Sequence, residues 1–555
     1  MGYPSNTTHT FTMFEYTKLF NSMYRDGSQP DNNPFKCVGI PSPTWGVQHT
    51  KPSAPADWSS EVAGNYYIDH STGSDSETYG TPSIPRKTLP LPIPAGSYIE
   101  IAGTYAEVTA GDIRVNGYGT DKEPIWIVGA DGTTPKFNAD GPKLLVWGSY
   151  VFISDIAVDG AAGAGAVQIA STSSDTFASD HIFLDVINVS GSDTTSGGIS
   201  VVDCPTVKTN NVIILNPQVN TLGPQVDVDF DAHGVSLGDG VEDVWLLGGT
   251  IQNLSGSGVQ IGSGQSANNC QRIYVGLVSI TNTRQSGIWT KAGKDVVISK
   301  NIVHDIQDRC VGADTSPSKG IGGQYRLDRV WIIFNTIYNV RYGIRIPSTT
   351  ASAGKVYAVG NVLHSINGSY SGGVCFPNDP GGTNNWDDSA IHIQGCAERY
   401  IVDNTIHSAV SGVHVSNAAD AITHITGNLI SEMTGTNGRH FFSEQTDGSI
   451  TEMHHNLYFD ATGIAMKWGG VTYTDLATYQ SGTGFGANDI SSDPLFADSV
   501  NFDLTPTSSS PAKSAGYLSP VYSLFESLYL HDIDVDHAGN ARPNTGRSIG
   551  ALEAA

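Results

Sequence analysis

The sequence predicts an all-β protein, a single-stranded right-handed parallel β-helix with an N-terminal cap and an irregular C-terminal segment. Three observations predict it: the composition, a recurring asparagine, and a recurring glycine followed by an aliphatic residue. The chain has 555 residues with 63 glycines, and only 15% of its residues are charged. Long helices favour Ala, Leu, Glu and Lys, so this composition indicates strands and turns.

The first recurring marker is an asparagine followed two residues later by an aliphatic residue or tyrosine. It occurs at Asn301, Asn335, Asn361, Asn404, Asn428 and Asn456, with spacings of 34, 26, 43, 24 and 28. The short spacings approximate one coil of a β-helix, and the long ones indicate coils with an inserted loop. Asparagine tolerates the left-handed conformation of a tight corner, and stacked amides hydrogen-bond from coil to coil. We therefore expect these asparagines to be structural.

The second marker is a glycine followed by an aliphatic residue at the start of a short alternating strand. It occurs at Gly234-Val235, Gly258-Val259, Gly287-Ile288, Gly343-Ile344, Gly412-Val413 and Gly463-Ile464. Strand side chains alternate between the two faces, so the aliphatic residues should fill the core and the residue between them should point outward.

The chain divides into three predicted parts. Residues 1–94 form an N-terminal extension, with a short helix at Phe14 to Tyr24 that caps the open end of the solenoid. Residues 95–470 form the parallel β-helix, and residues 471–555 form a C-terminal capping segment. Caps are needed because an open coil exposes backbone hydrogen-bonding groups and core side chains.

Short motifs near both ends of the chain resemble a known superfamily. They are Tyr66-Tyr67-Ile68-Asp69, Gly80-Thr81-Pro82, Pro85-Arg86-Lys87-Thr88 and Pro94-Ala95-Gly96-Ser97 at the start, and Asp493-Pro494-Leu495-Phe496, Phe502-Asp503-Leu504, Ser510-Pro511-Ala512, Arg542-Pro543 and Ile549-Gly550-Ala551 at the end. They are similar to the entry and closing segments of secreted β-helix proteins of the pectate-lyase-like superfamily. The resemblance implies polysaccharide lyase or hydrolase chemistry, or a phage tailspike with the same architecture. No catalytic motif of a named family is present, so it assigns no site residue.

The candidate site follows from the strand alternation. Adjacent coils stack about 4.8 Å apart, so outward residues at one strand position form a column. The predicted column contains Trp289, Arg345, His392 and His414, with His440 as a doubtful member, and a second column two residues further along contains Lys291, Gln394, Ser416 and Lys467. We expect the catalytic residues Lys291, Arg345, His392 and His414 to share one solvent-facing cleft. A solvated sheet face with a chance cluster is the alternative.

The local charge supports a substrate-binding role for this region. Between Arg284 and Arg345 there are ten Lys or Arg against five Asp, a local charge of +5 in a chain of net charge −25. The predicted substrate-binding residues are Trp289, Arg284, Arg326, Arg341 and Trp386. A ring stacks on sugars, and guanidinium groups bind carboxylate or sulfate. Insertions at about 312–326 and 367–388 are expected to wall the site.

A further constellation comprises Asp227, Asp229 and Asp231, which share one face of a strand. Three such carboxylates repel one another unless a cation or solvent relieves them, and calcium takes oxygen ligands of this kind. Calcium is therefore the only cofactor that the sequence indicates, and a loop facing water is the alternative. Cys375 and Cys396 bracket one loop, where a disulfide and buried thiols are both open.

The favoured function is a lyase that cuts an anionic polysaccharide, with uronic acids or sulfate groups, by β-elimination. The first alternative is a glycoside hydrolase, which needs two suitably spaced carboxyl groups. The candidates for such a pair are Asp387, Asp388, Asp314 and Asp239. The second alternative is a non-catalytic glycan-binding tailspike or adhesin.

Net charge and hydropathy limit the partners. A pI of about 4.8 argues against nucleic acid, which needs a basic face. No apolar run is long enough to cross a membrane. Residues 1–20 do not resemble a signal peptide, so we expect a secreted protein whose signal is absent from this sequence, or a virion surface protein. The expected oligomeric state is a monomer or, for a phage protein, a homotrimer.

Overall fold

The computed structural model describes residues 37–43, 45, 51–56, 58, 64–76, 78–105, 113–138, 144–160, 165–170, 179–203, 208–225, 230–264, 269–307, 318–347, 354–366, 388–416, 421–435, 438–444 and 450–555. The predicted helix at Phe14 to Tyr24 lies outside them. The chain divides into two compact units. Unit 1 comprises residues 1–225, 230–255 and 270–278, and unit 2 comprises residues 226–229, 256–269 and 279–555.

Unit 1 consists of three ladders of parallel strands. The first ladder contains β4 (Ile113–Tyr118), β7 (Leu144–Ser154), β9 (Gly165–Ala170), β12 (Gly197–Val202) and β15 (His233–Leu237). The second contains β1 (Asn65–Asp69), β2 (Tyr98–Ala102), β5 (Ile125–Gly129), the end of β7, β10 (Asp180–Asp185), β13 (Asn210–Leu215), β16 (Glu242–Leu247) and β19 (Cys270–Gly276). The third contains β3 (Thr104–Tyr105), β6 (Lys136–Asn138), β8 (Ala157–Asp159), β11 (Asn188–Ser190), β14 (Gln218–Leu222) and β17 (Thr250–Leu254).

Unit 2 also consists of three ladders of parallel strands. The first contains β18 (Val259–Ile261), β21 (Ser286–Ser299), β23 (Lys319–Ile333), β25 (Tyr342–Ile346), β28 (Ser389–Ile393), β31 (Ser411–Val415), β34 (Phe441–Ser443) and β37 (Met466–Trp468). The second contains the ends of β21 and β23, then β26 (Lys355–Val359), β29 (Glu398–Val402), β32 (Ile422–Thr426) and β35 (Ile450–His454). The third contains β20 (Ser279–Thr283), β22 (Ile302–His304), β24 (Thr336–Tyr338), β27 (Val362–Ile366), β30 (Thr405–Ala409), β33 (Leu429–Met433), β36 (Leu457–Phe459) and β39 (Ile490–Ser491).

Each unit is therefore a parallel β-helix, and the predicted fold is confirmed. The interior of each unit is filled by the aliphatic residues of its three ladders. Examples from unit 2 are Ile288, Ile344 and Val413, which are almost completely inaccessible to solvent. These are the residues that follow the recurring glycines. A Cβ on Gly343 would lie 2.5 Å from the carbonyl oxygen of Ala390, so this close approach between neighbouring strands requires glycine.

The recurring asparagines form a buried ladder in unit 2. The backbone N–H and the side-chain amide of Asn335 both donate to Oδ1 of Asn361, each at 3.0 Å. The same pair of bonds links the other neighbours along the series Asn301, Asn335, Asn361, Asn404, Asn428 and Asn456. The predicted coil-to-coil stacking is confirmed.

The backbone role expected for these asparagines is wrong. The left-handed residue at each corner is the one before the asparagine, for example Phe334 with φ 55° and Asp403 with φ 52°. In unit 1 the same corner carries Asp155 with φ 57°, followed by the buried Ile156. The corner therefore forms without asparagine, whose contribution is the side-chain ladder.

The C-terminal segment packs on unit 2. Its described residues contain β38 (Val471–Tyr473), antiparallel to β37, then α1 (Leu476–Thr483), the antiparallel pair β40 (Phe496–Asp498) and β41 (Asp503–Pro506), and α2 (Val521–Tyr529). Helix α2 lies on the second ladder, where Phe525 meets the ring of Trp331 edge-on at 4.7 Å. The ring of Phe502 stacks on His364 of the third ladder at 4.1 Å. The segment thus covers parts of two ladders of this unit.

Candidate functional site

The strand register of the first ladder in unit 2 brings together most of the predicted catalytic residues. Trp289 pairs with Gly322, Gly322 with Arg345, Arg345 with His392, and His392 with His414. The series continues from His414 to Phe442 and from Phe442 to Lys467. We call the set Trp289, Gly322, Arg345, His392, His414, Phe442 and Lys467 the register column.

Two members of the predicted columns are misplaced. Phe442, not His440, follows His414 in register, and Lys467 belongs to the same column as the histidines rather than to the next one. His440 is buried: its Nε2 lies 3.0 Å from the carbonyl oxygen of Phe459, and its Nδ1 accepts from the Ala465 N–H at 3.2 Å. That histidine therefore has a structural role.

His392 and His414 form a stacked pair. Their ring centroids are 4.1 Å apart with an interplanar angle of 14°. The side chains are only 3% and 1% exposed, whereas the sequence predicted a solvent-facing pair. The structure therefore places the pair in register, but buried.

Burial and positive neighbours keep both rings neutral. Burial is the main reason that the pKa of His392 lies well below its usual range, with further lowering by His414, Arg345 and Arg399. Burial, followed by the charges of Arg345, Lys467 and Arg399, lowers the pKa of His414 to about 3. At neutral pH both rings are therefore uncharged, and each has one nitrogen that can accept a proton.

Three cations at this site lie over aromatic rings. The guanidinium of Arg345 is 4.1 Å from the ring centroid of Tyr342. The ammonium groups of Lys319 and Lys467 are each 4.9 Å from a ring, that of Trp289 and that of Phe442 respectively. Such contacts hold a long side chain in place without neutralising its charge. Sequence reasoning missed Lys319. A signal for the Arg345 contact is present in the sequence, because the aromatic residue Tyr342 directly precedes the recurring glycine Gly343 on the same strand.

Trp289 does not present an open face. Its side chain is 6% exposed, and its indole edge lies against Gly322, where a Cβ would come within 2.8 Å of Cζ3. With Lys319 over the ring, the indole serves to position a cation. This differs from the sugar-stacking surface expected from the sequence.

The predicted arginines lie in different environments. Arg341 donates to Asp388 at 2.7 Å in a largely buried ion pair. Arg284 is 1% exposed, whereas Arg326 is exposed on the middle of β23. Trp386 lies outside the described residues. Of the predicted binding residues that the structure describes, only Trp289 belongs to the register column.

The region of local positive charge divides among different surfaces of unit 2. Arg329 forms a two-bond ion pair with Asp295, at 2.5 and 2.6 Å, on the second ladder. Lys300 donates to the carbonyl oxygen of His537 in the C-terminal segment. Lys291 is half-buried at an irregularity in the β21–β23 register. Several of these cations therefore serve other contacts.

The predicted loops are only partly described. Residues 308–317 and 367–387 lie outside the described part of the chain. Lys319 to Arg326, expected within the first insertion, belong instead to the long strand β23. Glycine obscures the alternation in Lys319-Gly-Ile-Gly-Gly, so the sequence predicts a loop where β23 begins.

The carboxylates proposed for hydrolysis do not form a pair among the described residues. Asp388 is held by Arg341, and Asp239 lies half-buried in unit 1. Asp314 and Asp387 lie outside the described residues.

The calcium hypothesis stays a prediction. Asp227 and Asp229 lie outside the described residues, and Asp231 is exposed. Within the described ranges no group of three His, Cys, Asp or Glu is arranged to hold a metal ion. Cys396 is buried, and Cys375 also lies outside the described residues, so the disulfide is likewise untested.

Comparison with known proteins gives structural likenesses alone. No family model and no curated protein sequence matches this chain. It is similar to the structure of XylC with xylose, at 10% identity and a TM-score of 0.39, over 88% of this chain and 98% of that chain. It is also similar to a lacto-N-biosidase from Eubacterium ramulus, at 12% identity and a TM-score of 0.37, over 73% of this chain and 65% of that chain.

A third similar structure is a tailspike protein of an E. coli bacteriophage in complex with a hexasaccharide. Its identity is 11% and its TM-score 0.33, over 70% of this chain and 71% of that chain. The fold assignment rests on the strand register described above. No helix among the described residues is both long and apolar enough to span a membrane.

Proposed function

We propose that this protein degrades an anionic polysaccharide, containing uronic acids or sulfate groups, by β-elimination. The observation that supports this proposal is the register of Arg345, His392 and His414 on three consecutive strands of one ladder. Outward positions on adjacent strands are about 4.8 Å apart, which is the scale of one sugar unit. An anion-binding group and two proton acceptors thus lie within reach of the same part of a polymer.

The roles follow from the chemistry of elimination. The sugar carboxylate must be neutralised, the C5 proton removed and the leaving oxygen protonated. Arg345 is the group for the first step, because a guanidinium binds a carboxylate through two parallel hydrogen bonds. A neutral imidazole, His392 or His414, accepts the C5 proton. Lys291 is the proposed donor to the leaving oxygen. Because both histidine rings are buried, their role requires that substrate binding exposes them.

A glycoside hydrolase is the second candidate, favoured by one observation. Asp388 is a largely buried carboxylate in an ion pair with Arg341 on the strand region next to Arg345. Hydrolysis needs a second carboxyl group at a suitable distance. A glycan-binding tailspike or adhesin, a homotrimer in the phage case, is the third candidate. All three place the protein outside the cell or on a virion.

A panel of uronic-acid and sulfated polysaccharides tests the proposal. A lyase produces an unsaturated uronate with a strong ultraviolet absorbance, whereas a hydrolase produces new reducing ends without it. We expect absorbance with wild-type protein, and its loss in Arg345→Gln and His392→Gln. The matched control is His364→Gln, which replaces a buried histidine of the third ladder. Reducing ends without absorbance would establish hydrolysis, and binding without either product would establish a glycan-binding protein.

A further inference from the structure

Among the residues that the structure describes, two guanidinium groups close to the histidine pair have no carboxylate partner. Arg345 and Arg399 both influence His392 and His414 electrostatically, yet no carboxylate among the described residues forms an ion pair with either arginine. Arg399 is 1% exposed and donates to the carbonyl oxygens of Ile393 and Ser416, at 2.9 and 3.1 Å. A charge buried without a counter-charge is costly, so the site favours an incoming anion.

His392 has an unused hydrogen-bonding atom at the same place. Its Nε2 lies 3.5 Å from the hydroxyl of Ser416, but its Nδ1 has no hydrogen-bond partner within the described part of the chain. The His392 side chain is only 3% exposed. A buried polar atom in a native protein is normally hydrogen-bonded. This nitrogen is therefore available to a ligand, or to a proton that arrives with one.

We propose that the site binds an acidic group of the sugar chain together with one proton from solvent, the proton entering the His392–His414 pair. The proposal rests on the proposed anionic substrate and adds the regulation of the same site: a pair that already holds a solvent proton cannot accept the C5 proton, so proton uptake opposes the elimination and reduces it as the pH falls. The anion and the proton carry opposite charges. Binding both therefore changes the net charge of the site by less than binding the anion alone. No bond of the protein breaks.

The residues around the His392–His414 pair explain why anion binding and proton uptake are coupled. Arg345 from β25, Arg399 from β29 and Lys467 from β37 act on the rings, and Tyr342, Ser416 and Phe442 complete the contacts. The cations disfavour an imidazolium, and an anion beside Arg345 offsets that effect. Only one proton is expected, because two imidazolium rings 4.1 Å apart would repel each other.

Inorganic sulfate is the probe, with sodium chloride at equal ionic strength as the control salt. Isothermal titration in buffers of different ionisation enthalpy gives the number of protons taken up for each sulfate bound. We expect close to one proton, and an apparent sulfate affinity that rises about tenfold for each unit of decreasing pH between roughly pH 7 and pH 5. Arg345→Gln should weaken sulfate binding, and His392→Gln with His414→Gln should remove the proton uptake.

His364→Gln is the matched control. His364 is also buried, with a pKa lowered by burial to about 4, but it stacks between Tyr338 and Phe502 on another ladder. Its substitution should leave sulfate binding and proton uptake unchanged. Sulfate binding without proton uptake, uptake that persists without both histidines, or no sulfate binding by folded wild-type protein would each overturn the inference. Inactivity on every polymer would instead overturn the proposed function, because this titration requires no turnover.

Discussion

Arg345 shows how an aromatic ring can fix a charge without cancelling it. Its guanidinium lies 4.1 Å from the Tyr342 ring, and the side chain is half-buried on β25. Removing it takes away a positive group but leaves the aliphatic interior intact. The effects of substitution should therefore fall on substrate chemistry rather than on folding.

We expect Arg345→Gln to lower kcat/KM about 10²- to 10³-fold, the usual effect of losing one group that stabilises developing negative charge. The melting temperature should stay close to that of wild type. Arg345→Lys should recover part of the activity, since it keeps the charge but not the planar fork. Steady-state kinetics on the polymer identified by the panel, with thermal melts in parallel, give both values. Wild-type kcat/KM in Arg345→Gln would move the chemistry away from this residue.

Asp489 ends the asparagine ladder with a carboxylate. Its Oδ1 accepts from the backbone N–H of Asn456 at 2.7 Å and from the Asn456 amide at 3.2 Å. Burial raises the pKa of Asp489 to about 7. The folded state thus binds this proton more tightly than the unfolded state, whose carboxyl titrates near pH 4. The resulting stability is complete below about pH 4 and is lost as the pH rises through 7.

The substitution Asp489→Asn should therefore stabilise the protein at pH 8 by about 2 kcal/mol and have little effect at pH 4. The amide keeps an oxygen that accepts from Asn456, so the ladder continues. Thermal or urea unfolding of both proteins across this range gives the difference directly. A difference independent of pH would show that the Asp489 carboxyl is not the titrating group.

At the scale of elements, the asparagine ladder is a continuous hydrogen-bonded strip inside unit 2. Asn361 takes part in both directions: its amide donates to Ile332 and Asn404, and its Oδ1 accepts two bonds from Asn335. Its replacement by alanine leaves several buried polar groups unsatisfied.

We expect Asn361→Ala to lower the free energy of unfolding by about 3–5 kcal/mol, because each buried unsatisfied group costs roughly 1–3 kcal/mol. Asn339→Gly is the matched control, because glycine keeps the left-handed φ of 51° at that position without strain. Asn339 is half-buried, and its amide donates to Asp305 at the surface of the same unit. That change should cost less than about 1 kcal/mol. Equal losses in urea unfolding for the two variants would mean that the ladder contributes no more than an ordinary surface hydrogen bond.

The sequence identified the ladder and the parity of Arg345, His392 and His414 because each lies between aliphatic residues or at a recurring corner. The sequence misplaced Lys467 and the residue that follows His414 in register, Phe442. Both residues lie further along the chain from their recurring glycines, Gly463 and Gly438, than the two positions found in the other coils. The sequence also could not predict the burial of the histidines. Alternation in one strand tells which face a residue takes, but not whether that face is buried in the folded protein.

At the scale of the whole chain, the closing segment is attached to unit 2 through buried charges. Asp403 has no exposed side-chain surface, and it lies 3.1 Å from Arg542 and accepts from the Tyr522 hydroxyl at 2.6 Å. Ala512 and Ile549 pack with Leu429 and Leu457 of the third ladder. The closing motifs seen in the sequence thus include residues that hold this segment in place.

We expect Arg542→Met to cost about 3–5 kcal/mol, because it leaves the Asp403 carboxylate buried without its nearest cation. The loss should be local first, so limited proteolysis should cut within residues 507–555 before the rest of unit 2. The double variant Arg542→Met with Asp403→Asn should recover part of the stability. Cleavage that begins elsewhere, or no rescue, would show that this ion pair does not hold the segment.

The corner hydrogen bonds also have a consequence for how such a protein diversifies. The pair Asn361–Asn404 spans 43 positions and the pair Asn404–Asn428 spans 24, yet both make the same two bonds. Insertions and deletions between corners are therefore absorbed without a change of strand register. A lineage can lengthen or exchange the intervening segments while the framework is inherited unchanged, and a laboratory library can do the same.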